Sequence, residues 1–86
     1  MSGSHGNHDP AAVRAAISEA ILAAIPGAAV SVEGGGGHYA IEVVSEVFEG
    51  KGMLDSQRLV YGAIAPLLKG DDAPVHAVDT LRTRAR

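Results

Sequence analysis

An 86-residue chain with four histidines and no cysteine has few ways to hold a metal, and imidazole is the main one. His76 lies in the run APVHAV (73–78), which opens with Pro74 and otherwise reads as a buried strand. A histidine there is either a core residue satisfied by a neighbour or a ligand held by the strand, and composition alone favours the first reading. His38 follows a run of four glycines in GGGGHY (34–39), where it is either a second ligand or a solvated loop residue. His5 and His8 have the spacing H-x-x-H, but no helix in that tail would align them, so they are not expected to bind a metal.

Other chemistry finds little support. The glycine run does not suit phosphate, because a phosphate-cradling loop must open a helix and this one opens a strand. Lys51 stands between Gly50 and Gly52, where exposed backbone N–H groups near a helix start could meet an anion; a turn lysine in solvent is the plainer reading. The GKG run is one residue short of the G-x-x-G loop with which KH domains grip nucleic acid. No carboxylate pair, Ser–His pair or zinc-ligand set is readable, so the chain is not expected to be an enzyme. Without cysteine it has no disulfide framework, no thiol catalyst and no Cys-ligated cluster of its own.

These residues must be positioned by one small domain. A chain of this length buries only about 60% of its unfolded surface, which argues against a deep enclosed active site. Phe48, Tyr39 and Tyr61 are its only aromatic residues, so Ile, Val, Leu and Ala must build the core. Net charge is −3, but Arg82, Arg84 and Arg86 crowd the C-terminus. Without them, four bases (Arg14, Lys51, Arg58 and Lys69) stand against ten acids, a balance opposite to that of a protein held to phosphates by charge. No secretory signal is readable at the start, and no apolar run approaches the roughly 20 residues of a membrane span. A cytoplasmic location, with no membrane partner, is the expectation.

Residues 1–8 read as a disordered tail or a cloning remnant, and residues 9–86 as the domain. Asp9–Pro10 offers an N-cap and a first-turn proline; Val13, Ile17, Ile21, Ala24 and Ile25 then recur at helical spacing until Pro26–Gly27. AAVSVE (28–33) and HYAIEVVS (38–45) alternate as two strands of a hairpin around the glycines, and FEGKGM (48–53) is a turn. A second helix follows over 54–70, with Asp55 or Ser56 as its cap. Its apolar stripe is Val60, Ile64, Leu67 and Leu68, with Leu54 and Tyr61 beside it. Pro66 predicts a kink or break near residues 62–66. VHAVDTL (75–81) is the third strand. The order α-β-β-α-β predicts an α+β two-layer sandwich, with helices on one face of a three-stranded mixed sheet, antiparallel in the hairpin and parallel across the crossover.

The run VVSEVFEGKGMLDSQRLVYGAI (43–64), followed by VHAV (75–78), resembles the BolA family. That family shows a hydrophobic strand ending in V-S, then F-x-G-K, a helix carrying R-x-V-Y, and H-A in the last strand. The matching residues are Val43, Val44, Ser45, Phe48, Gly50, Lys51, Arg58, Val60, Tyr61, His76 and Ala77. Ser56 and Gln57 stand where many members have arginine–histidine, which is similar to the branch with a short hairpin loop. The ending TLRTRAR replaces a family segment with a tryptophan on a short last helix, so that helix is expected to be absent.

The resemblance implies a fold related to the type II KH fold and two activities, neither of them catalytic. One is pairing with a monothiol glutaredoxin around a shared [2Fe–2S] cluster, in iron–sulfur trafficking or in iron, redox and stress regulation. The glutaredoxin and glutathione would supply thiolates and this chain histidine: His76, from the H-A motif, with His38 as second ligand. Imidazole replaces thiolate on iron in Rieske-type centres, raising the potential and making the ligand proton-sensitive. The alternative is DNA binding as a transcriptional regulator of the stress response, through Lys51, Arg58, Arg82 and Arg84. A weak homodimer is a further expectation, and the isolated chain is expected to carry no cofactor.

Overall fold

The computed structural model describes residues 8–86, so the tail expected at the start, His5 included, lies outside the described residues apart from His8. Helix α1 spans Pro10–Ala24. Asp9 takes the N-cap position and Pro10 the first turn, as their order dictates, although the Asp9 side chain makes no capping bond. Val13, Ile17 and Ile21 form its buried stripe. The Ile25 N–H returns to the Ile21 carbonyl at 2.7 Å, and Pro26 stops the helix.

Strands β1 (Ala29–Gly35) and β2 (His38–Val44) pair antiparallel, from Ala29 opposite Val44 to Gly35 opposite His38. Only Gly36 and Gly37 connect them, at φ +64° and +88°, the left-handed backbone that a two-residue hairpin turn requires. The glycine run is therefore half strand and half turn. Helix α1 leans on it: Arg14 Nη1 donates to the Gly34 carbonyl at 2.7 Å.

After β2, a 3₁₀ turn over Glu46–Phe48 starts at Ser45, whose Oγ accepts from the Val47 N–H at 3.1 Å. Helix α2 then spans Met53–Leu68. Its N-cap is Gly52, not Asp55 or Ser56 as expected. Ser56 lies inside the first turns, buried against the core, where it cannot cap. Nor does Pro66 break the helix, which runs through it to Leu68. Pro66 sits exposed in the last turn; it forfeits one bond to the Gly62 carbonyl, and Gly62 is itself exposed. Leu54 and Tyr61, placed beside the apolar stripe, are exposed, whereas Val60 and Ile64 are fully buried.

Strand β3 covers Ala77–Arg84 and runs parallel to β2, so β2 is the centre of the sheet. The strand expected over 75–81 thus begins and ends later. The C-terminal segment extends as strand to Arg84, and among the described residues no helix follows α2. Tyr39, Ile41 and Val43 bury one face of β2 against α1 residues, Val60, Ile64, Phe48 and Val75, completing the α+β two-layer sandwich.

One irregularity matters. Val78 pairs with Tyr39 but Thr80 pairs with Ala40, leaving Asp79 as an extra residue in a β-bulge. Without that bulge Leu81 would shift to the outer face; with it, Leu81 sits opposite Ile41 on the core side. No helix of the described residues is long and apolar enough to cross a membrane.

Candidate functional site

Both candidate ligands stand one residue from a buried anchor. Val75, 1% exposed, packs in the core, and its N–H reaches the Leu67 carbonyl at the end of α2 at 3.2 Å. That contact satisfies one of the carbonyls a helix end leaves open. With Val75 pointing in, the next residue, His76, points out. His76 is exposed and precedes β3, so the expectation of a histidine within a buried strand is corrected. Tyr39, also 1% exposed, does the same for His38 at the start of β2. Alternation along the strand turns His38 to the open side.

Gly37 joins the two. Its carbonyl accepts the N–H of His76 at 2.8 Å and of Ala77 at 2.9 Å, fastening the entry of β3 to the hairpin turn. The His76 ring lies against this glycine: a Cβ at Gly37 would come 2.8 Å from His76 Cδ2 and 2.9 Å from Cγ. His38 is the next residue in the chain, and it pairs in register with Ala77. His38 opens β2 and His76 immediately precedes β3, so both histidines stand at the same end of the sheet. Beside His76 is a shallow depression of about 220 Å³, lined by Leu68, Gly70, Asp71, Ala73 and Val75.

The His38 ring has a partner that sequence reasoning missed. Its Nδ1 lies 3.2 Å from Asp79 Oδ1, and both side chains are more than half exposed. Asp79 is the bulged residue, and a signal for it was present: Val78 and Leu81 are three apart, which breaks the two-residue period of a strand. His8 lies apart from this pair, its Nε2 3.1 Å from the Asp72 carbonyl.

Chemically, the site offers up to two imidazoles. Among the described residues, no three His, Cys, Asp or Glu side chains gather closely enough to hold an ion. A [2Fe–2S] cluster needs four protein-type ligands. Two imidazoles would be half of such a donor set, so the described residues of this chain could not hold a cluster without ligands from a partner.

The basic residues of the alternative reading are differently disposed. Arg84 Nε donates to Glu42 Oε2 at 3.0 Å on the open face of the sheet. Arg58 stands 3.9 Å from Asp55, one helical turn away. Lys51 is exposed, its N–H bonded to the Phe48 carbonyl at 3.0 Å in the turn before α2, and Arg82 is exposed on β3. Two of the four cations thus already face carboxylates.

Comparison with known proteins adds the lineage. A family profile described as "BolA-like protein" matches residues 4–85. Among solved structures, BolA1 from Arabidopsis thaliana superposes with a TM-score of 0.70 at 20% identity, over 84% of this chain and 89% of that one. BolA1 from Mus musculus gives 0.67 at 31% identity, over 85% of this chain and 64% of that one. A bol-like protein from Babesia bovis gives 0.56 at 26% identity, over 84% and 80%. No curated protein matches closely enough to count as a relative. The order of elements, the H-A pair at the entry of β3 and the profile match agree: the chain belongs to the BolA-like family.

Proposed function

We propose that this chain is a cytoplasmic adaptor that pairs with a monothiol glutaredoxin and shares a [2Fe–2S] cluster with it and with glutathione, in iron–sulfur trafficking or iron and redox regulation. The observation that carries this reading is His76: exposed, anchored through its own N–H to Gly37, and next to the strand that begins with His38. A histidine needed only for packing would be buried. His76 serves as the first ligand and His38 as the second, while the partner's thiol and glutathione complete the set. The site performs no bond-making chemistry; it binds, orients and releases. The cluster, when bound, supplies transferable iron and sulfide and one-electron redox capacity, and imidazole ligation leaves it responsive to protons.

The test is reconstitution of a [2Fe–2S] cluster on a monothiol glutaredoxin with glutathione, with and without this chain. The expected result is a heterodimer whose visible absorption and circular dichroism differ from those of the glutaredoxin alone, and whose reduced cluster shows nitrogen hyperfine coupling. A spectrum identical to that of the glutaredoxin alone overturns the reading. DNA binding, the other activity implied by the resemblance, gains less support from the side chains, because Arg84 is held by Glu42 at 3.0 Å and acids outnumber bases over most of the chain.

A further inference from the structure

We propose that Asp79 is a positioning residue for His38: it accepts the Nδ1 proton of the ring and so leaves Nε2 as the nitrogen that His38 presents to a metal. This deepens the shared-cluster reading and rests on it for the identity of the metal.

The argument starts from the contact. Asp79 Oδ1 lies 3.2 Å from His38 Nδ1. A carboxylate can only accept a hydrogen bond, so the proton of a neutral His38 in this contact resides on Nδ1. A free neutral histidine prefers the opposite tautomer, with the proton on Nε2 and the lone pair on Nδ1. Metal-binding histidines use this device widely, with a carboxylate holding one ring nitrogen so that the other is bare and aimed.

The backbone is shaped to permit it. His38 is in register with Ala77, so Asp79 would ordinarily lie further along β3, opposite Ala40. The bulge instead takes Asp79 out of the pairing and gives the place opposite Ala40 to Thr80. An unpaired residue is free to turn its side chain back toward the strand start, where the His38 ring stands. Bulges commonly re-aim a side chain in this way. His76 has a different support, the glycine shelf at Gly37, so the two imidazoles are steadied by separate means.

The test uses the full chain and two variants, Asp79→Ala and Asp79→Asn. The first measurement needs no partner: long-range ¹H–¹⁵N correlation of the histidine side chains, at alkaline pH where imidazole is neutral. In the unmodified chain His38 is expected as the Nδ1–H tautomer. Asp79→Ala is expected to shift it to Nε2–H, with the His76 pattern unchanged, and Asp79→Asn, whose amide donates as readily as it accepts, to give a mixture of the two tautomers. A His38 tautomer that ignores Asp79→Ala overturns the proposal. So does a shift that affects His76 equally, because it marks a general disturbance of the strand.

The second measurement is nitrogen coupling in the reconstituted complex with a monothiol glutaredoxin. Asp79→Ala and His38→Ala are each expected to lose the same one of two couplings. If His38→Ala leaves both couplings in place, His38 is not a ligand and the metal half of the proposal falls. The two failures are separable. Loss of the tautomer effect removes Asp79 and leaves the shared cluster standing, whereas a complex with no nitrogen coupling at all removes the cluster reading itself.

Discussion

The imidazole of His76 rests on Gly37, at a place where a single methyl group would come within 2.8 Å of the ring, while the Gly37 carbonyl binds the His76 N–H. Backbone and side chain of the histidine are thus fixed by one glycine. Gly37→Ala is expected to suffer twice. The left-handed backbone costs a non-glycine residue about 1–2 kcal/mol, and the new Cβ must also displace the ring. Gly36→Asn is the control, since asparagine tolerates φ +64° and nothing lies within 4 Å of a Cβ there. Thermal unfolding should place Gly36→Asn near the parent and Gly37→Ala clearly below it. Only Gly37→Ala should alter the nitrogen coupling of a reconstituted cluster.

His76→Ala is expected to change stability by no more than about 0.5 kcal/mol, as for other exposed positions outside the core. The cluster shared with a glutaredoxin should nevertheless lose its His76 nitrogen and change its visible spectrum. Comparing the denaturation midpoint with that spectrum decides the matter. A variant that is markedly destabilised yet keeps an unchanged cluster would return His76 to a packing role.

Binding to DNA is expected to be weak and to fall steeply as salt rises, because most of the chain carries more acid than base. Each phosphate contact contributes about 0.9 to the slope of log affinity against log salt. Arg84 is tied to Glu42, so Glu42→Gln should free a cation and raise retention on DNA at low salt. The paired change Arg82→Gln with Arg84→Gln should reduce the slope more than Lys51→Gln. Substitution is preferable to truncation here, since the Ser45 N–H bonds the Arg84 carbonyl at 3.0 Å and removing the segment would damage the sheet. Tight, sequence-selective binding at physiological salt would contradict this expectation.

Pro66→Ala should regain a hydrogen bond worth about 0.5–1.5 kcal/mol. It should also lose the roughly 0.4–1 kcal/mol that proline contributes by restricting the unfolded chain. The two nearly cancel, and the expected net change is under about 1 kcal/mol by chemical denaturation. A gain of several kcal/mol would show that the proline strains α2.

The fold was readable because each element carries a strong local pattern. Val13, Ile17 and Ile21 recur at helical spacing, Tyr39, Ile41 and Val43 alternate, and Gly36–Gly37 can only turn. His76 was readable as a candidate through its setting in a family motif, but its exposure was not. A run such as APVHAV looks apolar throughout, and only the docking of Val75 beneath the end of α2 decides which residues face outward. Helix boundaries at Gly52 and through Pro66 depended on tertiary placement, which can outweigh a capping preference or a single lost bond. Asp79 escaped because its role arises from a register irregularity, visible only as an odd interval between Val78 and Leu81.

The junction at Gly37 also carries a consequence for how the protein comes into being. His38 and His76 lie on opposite sides of the α2 crossover, and nothing brings them together until β3 zips alongside β2. Such distant pairing is slow to form, because closing the intervening loop must be endured before the strand contacts reward it. A chain emerging from the ribosome cannot assemble the pair until β3 has left the tunnel. An unfolded or half-folded copy presents only scattered imidazoles. If the pair holds a cluster as proposed, an immature molecule could not take one up, and loading would report a finished fold.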